Sequence, residues 1–120
     1  MKANELMIGD LVYNTFNQQA EQVVEIRQDQ VILAYNDGND YDEIEPIPLT
    51  PKILEKNGWM KVEEDGVFYP KQLKGELPWI GYATNGYGWI FRIRDFCEIK
   101  YVHQLQNALR ICGIEKEITI

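Results

Sequence analysis

The chain has no serine, a single histidine and only two cysteines among its 120 residues. Without serine the commonest hydroxyl nucleophile is missing, and no Gly-x-Ser-x-Gly elbow can form. The lone histidine, His103, rules out a His-x-x-x-His pair, and Cys97 and Cys112 are too far apart for Cys-x-x-Cys, so the common metal and redox spacings are missing. His103 reads instead as a helix-start hydrogen bonder or a packed polar side chain. Long apolar runs are lacking as well. The densest stretch, Gln30-Val31-Ile32-Leu33-Ala34-Tyr35, falls far short of the ~20 residues a membrane-spanning helix needs. The opening Met1-Lys2-Ala3-Asn4-Glu5-Leu6 turns polar and acidic too early for a secretory signal, which sets the expectation of a cytoplasmic protein. Secreted scaffolds carry denser, regularly spaced cysteines. Cys97 and Cys112 are therefore expected as buried, reduced thiols, with a single disulfide as the alternative.

What is present suits one folded domain. Hydrophobic residues make up 45% of the chain and aromatic ones 12%, enough for a core that a disordered chain could not build. The net charge of −7 is unevenly placed. Residues 1–50 hold two basic side chains, Lys2 and Arg27, against ten acidic ones, giving −8, while residues 51–120 come to +1. Such a first half repels phosphate backbones and disfavours generic nucleic-acid binding. A local basic site in the second half stays open.

Periodicity and punctuation predict the order of elements. Strands are expected at Asp10–Thr15, at Glu21–Gln28 with Val24 and Ile26 facing inward, at Gln30–Tyr35, and around Ile44. Asp29 offers a tight turn, and 36–40 is a loop. Pro46 and Pro48 end the fourth strand. Thr50, Pro51 and Gly58 are the cap, first turn and exit of a short helix anchored by Ile53 and Leu54. A hairpin over 59–69 with a turn at Asp65-Gly66 follows, then a looser link through Pro70, Gly75 and Pro78. A second hairpin covers 79–93, and Phe96–Lys100 is a further strand. Val102, Leu105, Ala108, Leu109 and Cys112 recur at helical spacing, with Gly113 as the stop. The tail from Glu115 is expected to fray or to add an edge strand.

Three stretches resemble a family of short, uncharacterised proteins from gut Bacteroides and relatives, their phages and mobile elements. They are Asn4-Glu5-Leu6-Met7-Ile8-Gly9-Asp10-Leu11-Val12-Tyr13, the run from Glu45-Pro46-Ile47-Pro48 to Lys56-Asn57-Gly58-Trp59, and Lys100-Tyr101-Val102-His103-Gln104-Leu105-Gln106-Asn107-Ala108-Leu109. The chain lacks the glycine turn that the family carries between Tyr13 and Glu21. The resemblance implies a shared fold and brings no activity, cofactor or catalytic residue.

Other clusters yield to simpler readings. Asp37, Asp40, Asp42, Glu43 and Glu45 do not match an EF-hand loop and read as a solvated acidic segment. Gly81, Gly86 and Gly88 lack the lysine and the strand-to-helix context of a phosphate loop. The second hairpin carries more information. With Asn85-Gly86 as a two-residue turn, Thr84 opposes Tyr87, Tyr82 opposes Trp89, Ile80 opposes Phe91 and Trp79 opposes Arg92. Side-chain alternation then sorts Ile80, Tyr82, Tyr87, Trp89, Phe91 and Ile93 onto a core face. The opposite face collects Trp79, Gly81, Ala83, Gly88, Ile90, Arg92 and Arg94, with Trp79 and Arg92 placed for a cation–π pair. Two outcomes are open for it. The terminal helix covers it through Leu105 and Leu109, or it stays free for a partner.

The expected fold class is α+β. A small curled antiparallel sheet of the SH3-like barrel type leads through a short helix to a second antiparallel sheet with a C-terminal amphipathic helix. It forms a single domain, or two subdomains over 1–48 and 49–120. No cofactor, metal or catalytic group is assigned. The functional expectation is a non-catalytic binding or adaptor protein that recognises a protein partner through Trp79, Ile90, Arg92 and Arg94, with no membrane association and an undetermined oligomeric state. The alternatives are a nucleic-acid module using Arg92, Arg94 and Lys100, an acidic nucleic-acid mimic, and, with least support from spacing, an enzyme using Glu43 or Glu98.

Overall fold

The first hairpin is organised by an asparagine rather than a glycine. Asn14 closes strand β1 (Leu11–Asn14), and its Oδ1 accepts from the backbone N–H groups of Phe16 at 3.0 Å and Asn17 at 3.2 Å. Gln18 then takes a left-handed backbone, φ +56°, and leads into β2 (Gln19–Ile26). The Asx turn supplies locally what a glycine supplies by freedom of φ. These and the following details come from a computed structural model that describes residues 1–35, 38–62, 66–71, 77–85, 88–93, 97–114 and 116–120.

Strands β3 (Val31–Leu33) and β4 (Ile44–Glu45) complete an antiparallel sheet in the order β3-β2-β1-β4, curled into half a barrel. Arg27 N–H donates to Gln30 O at 2.9 Å across the turn that holds Asp29. On β3, Val31 exchanges two backbone hydrogen bonds with Asn39, which partly closes that edge. Leu6, Val12, Val23, Val31, Leu33 and Ile44 form the core. One expectation fails here. Val23, not Val24, is buried, and Val24 is 45% exposed. The step from Val23 to Glu25 pairs with the single step from Leu33 to Ile32, a β-bulge that resets the alternation. Ile26 is half-buried beyond it.

Helix α1 (Pro51–Lys56) is capped by Thr50, whose Oγ1 accepts from Ile53 N–H at 3.3 Å, and it ends before Gly58 at φ +106°. Its Leu54 is fully buried. A five-stranded antiparallel sheet then forms in sequence order from β5 (Trp59–Val62), β6 (Val67–Pro70), β7 (Ile80–Asn85), β8 (Gly88–Ile93) and β9 (Cys97–Ile99). The indole of Trp59, fully buried, donates to Pro78 O at 2.8 Å. Helix α2 (Val102–Ile111) stops where Ile114 N–H reaches Leu109 O and Gly113 N–H reaches Arg110 O, a Schellman closure with Gly113 at φ +75°. Among the described residues the tail adds no strand and is tied down by side-chain bonds instead. The Asn57 side chain donates to Thr119 O at 2.6 Å and accepts from Thr119 N–H at 2.8 Å, and Ile118 is buried.

The architecture is α+β. By internal packing the chain divides into two compact units, Met1–Ile47 with Tyr101–His103, and Pro48–Lys100 with Gln104–Ile120. Among the described residues no helix is long and apolar enough to cross a membrane.

Candidate functional site

The site lies on one face of β6, β7 and β8, and hairpin pairing decides which side chains reach it. Asn85 pairs with Gly88, and Gly86 and Tyr87 between them lie outside the described residues. Tyr82 therefore opposes Phe91 rather than Trp89, Trp89 opposes Thr84, Ile80 opposes Ile93, and Arg92 opposes Gly81 rather than Trp79. This corrects the expected register. The physical reason is packing from another strand: the buried Phe68 sits edge-on to Tyr82 at 5.0 Å between ring centroids and tilted to Phe91 at 6.2 Å. Each such aromatic pair adds about 0.5–1.5 kcal/mol beyond its buried area, which favours bringing Tyr82 and Phe91 together against the same ring.

The offset amounts to two residues in the pairing, and an even offset leaves every side chain on its original face. Ile80, Phe91 and Ile93 are fully buried on the core side. Tyr87 and the side chain of Trp89 lie outside the described residues. On the other side an open cleft of about 460 Å³ is lined by Gly66, by Val67 from β6, by Trp79, by Gly81, Tyr82 and Ala83 from β7, and by Ile90 and Arg92 from β8. Trp79 is 37% exposed, Ala83 and Arg92 are exposed and Ile90 is half-buried. Among the described residues no part of α2 lines the cleft, and Leu105 and Leu109 are buried elsewhere. The structure thus brings together Trp79, Ile90 and Arg92, while Arg94 lies outside the described residues.

The floor is shallow because Gly81 carries no side chain. A Cβ built there would meet Arg92 O and Trp79 Cζ3 at 3.8 Å each, ordinary contact distances, so the indole leans across the glycine. The cation–π pair expected between Arg92 and Trp79 does not form, because the observed register places Arg92 opposite the glycine. Lys61 Nζ instead stands 5.2 Å from the centre of the Tyr82 ring. Among the described residues Arg92 has no hydrogen-bond or ion-pair partner for its guanidinium. One guanidinium, one indole and aliphatic surface make a set suited to holding a ligand, and among the described residues no carboxylate or imidazole lines the cleft.

The other singled-out residues are elsewhere. His103, in the first unit, is 4% exposed and stacks on Tyr101 with ring centroids 5.9 Å apart. Burial pushes its pKa below the usual histidine value, against the opposing pull of Asp10 and Glu5, and its Nδ1 has no hydrogen-bond partner. In the acidic segment, Asp40 N–H donates to Glu43 Oε1 at 2.9 Å at the start of a 3-10 turn over Tyr41–Glu43. Asp37 lies outside the described residues, and among those described no group of three His, Cys, Asp or Glu is placed to hold a metal ion. Cys112 is a free, half-buried thiol, and the side chain of Cys97 is outside the described set.

One cluster escaped the sequence analysis altogether. Glu21 is 1% exposed, and its Oε2 accepts from the Asn14 amide, while Asn14 and Asn39 exchange longer amide contacts at 3.4 and 3.5 Å. Glu21 Oε1 is buried without a partner. The available signal was alternation: Asn14 shares the phase of buried Val12, and Glu21 that of buried Val23. Compared with protein-family models, curated proteins and solved structures, the chain matches none of them.

Proposed function

We propose that this is a non-catalytic binding or adaptor protein whose β6–β8 cleft receives a protein partner. The observation that carries the reading is the uncovered face itself, where Trp79, Ile90 and Arg92 gather over a glycine floor that the chain's own helix leaves open. Tryptophan and arginine are the residue types most enriched among interface hot spots, and they act best beside surface that excludes water. A nucleic-acid module is the second reading, favoured by an exposed indole close to an arginine that could stack a base and meet a phosphate. The excess of acid along the chain speaks against it.

The test is a photo-crosslinking amino acid at Ala83, in the cleft, set against one at Glu55 on α1. A partner captured from Ala83 and lost in the Trp79→Ala/Arg92→Ala protein is the expected result. Identical capture by wild type and the double variant rejects the reading.

A further inference from the structure

We infer that the cleft recognises an internal peptide segment in which a side-chain carboxylate stands next to a bulky apolar residue; this rests on the binding reading above. The first support is the state of Arg92. Nineteen acidic side chains serve a chain with twelve basic ones, yet the Arg92 guanidinium is exposed and unpaired among the described residues, even with Glu98 as its register partner on β9, at the rim of a cleft whose described lining contains no acid. A guanidinium presents five donors in a fixed plane, matched to a carboxylate and open to partners brought from outside. The same cleft is lined by the indole of Trp79 and the aliphatic surfaces of Val67, Ala83 and Ile90. Apart from the indole N–H these surfaces are apolar and suit an apolar side chain.

The backbone narrows the source of the carboxylate. Capture of a chain terminus typically uses a nest of free N–H groups. Here the floor strands are tied into ladders through Val67 with Gly81, Gly81 with Arg92 and Ala83 with Ile90. The side chain of Arg92 is the charged donor of the described lining, with the indole N–H of Trp79 the neutral one, so the anion it meets is a side chain on a segment that passes across the open face. A polynucleotide would need a row of cations following its phosphates, whereas the described lining supplies one. A single carboxylate also fits a protein of net charge −7, since its attraction to Arg92 acts at contact range while the wider field repels polyanions.

Amide-resolved NMR titration of the full chain tests this with four blocked peptides of the same length, carrying Glu-Phe, Gln-Phe, Glu-Ala or Gln-Ala between glycines. The Glu-Phe peptide should give saturable shifts at Gly81, Ala83 and Ile90. Replacing its glutamate by glutamine should weaken binding about tenfold, the scale of a charge-assisted hydrogen bond. Arg92→Gln should bind the Glu-Phe and Gln-Phe peptides alike. Gly81→Val, which keeps an extended backbone and fills the floor, should abolish the shifts while the rest of the spectrum stays folded. Equal binding of the Glu-Phe and Gln-Phe peptides to wild type overturns the carboxylate while leaving the cleft as a docking face. No cleft shift with any peptide, alongside partner capture at Ala83 that depends on Trp79 and Arg92, overturns the inference alone. Loss of that dependent capture removes the underlying reading. Cleft shifts with oligothymidine that weaken steeply with salt transfer the site to nucleic acid and also overturn it.

Discussion

The two units solve the problem of a small core in opposite ways. The first buries polarity: Asn14, Glu21 and Asn39 stand inside its curled sheet and hold one another, while its apolar core is built from aliphatic side chains. The second buries rings, with Trp59, Phe68 and Phe91 fully enclosed on one side of the sheet and a bare glycine-floored face on the other. Buried hydrogen bonds are directional, so they specify a turn and a strand phase but cost heavily when one partner is lost. Ring packing is bulky and less directional. It can impose a register on a hairpin and leave the opposite face free to vary.

That contrast can be broken by mutation, beginning with the largest effect. Phe91→Ala should cost about 3–5 kcal/mol in urea unfolding, the usual range for a buried phenyl, and Phe91→Leu much less. A cost under one kcal/mol would mean that the ring cluster does not govern the second sheet. Asn14→Ala should cost about 2–3 kcal/mol, because it releases two turn N–H groups and strips the donor from a buried carboxylate. If Asn14→Ala unfolds at the wild-type urea midpoint, the polar interior of the first unit is decoration.

A smaller effect concerns His103. Its folded pKa is lowered by burial, so the neutral form is favoured and stability is complete above the unfolded value of about 6.5. As pH falls below that value the unfolded chain takes up a proton that the folded chain resists, and stability declines until the folded pKa is passed. Wild type should therefore lose more stability than His103→Gln between about pH 7.5 and pH 5. Parallel curves would show that burial does not oppose the charge. Smallest, and opposite in sign, Gln18→Gly should stabilise the first hairpin by about 0.5–1 kcal/mol, since a left-handed non-glycine residue is strained. A loss of stability would mean that the Gln18 side chain contributes more than its backbone costs.

Much of this was legible in the residue order, for identifiable reasons. Thr50, Pro51 and Gly58 bracket α1 because capping and exit chemistry act within a single turn. The α2 boundaries follow from five apolar residues at helical spacing, Val102 to Cys112, and a glycine stop. The sorting of Gly81, Ala83 and Arg92 away from Ile80, Phe91 and Ile93 held because alternation is a property of each strand alone. The reversal of Val23 and Val24 was not legible. The bulge that causes it is a relation between β2 and β3, and neither strand announces it. Likewise the Asn57 clamp on Thr119 joins residues 62 apart, beyond any local pattern.

The residue order by itself determined where strands and helices form and, away from the bulge in β2, which side chains share a face, because dihedral preferences, caps and alternation operate over a handful of neighbours. Tertiary structure alone decided the hairpin register, the buried Asn14–Glu21 pair and the openness of the face around Trp79 and Arg92. Those outcomes depend on which distant surfaces meet, as Phe68 meets Tyr82 and Phe91, and such meetings are settled by packing of the whole chain.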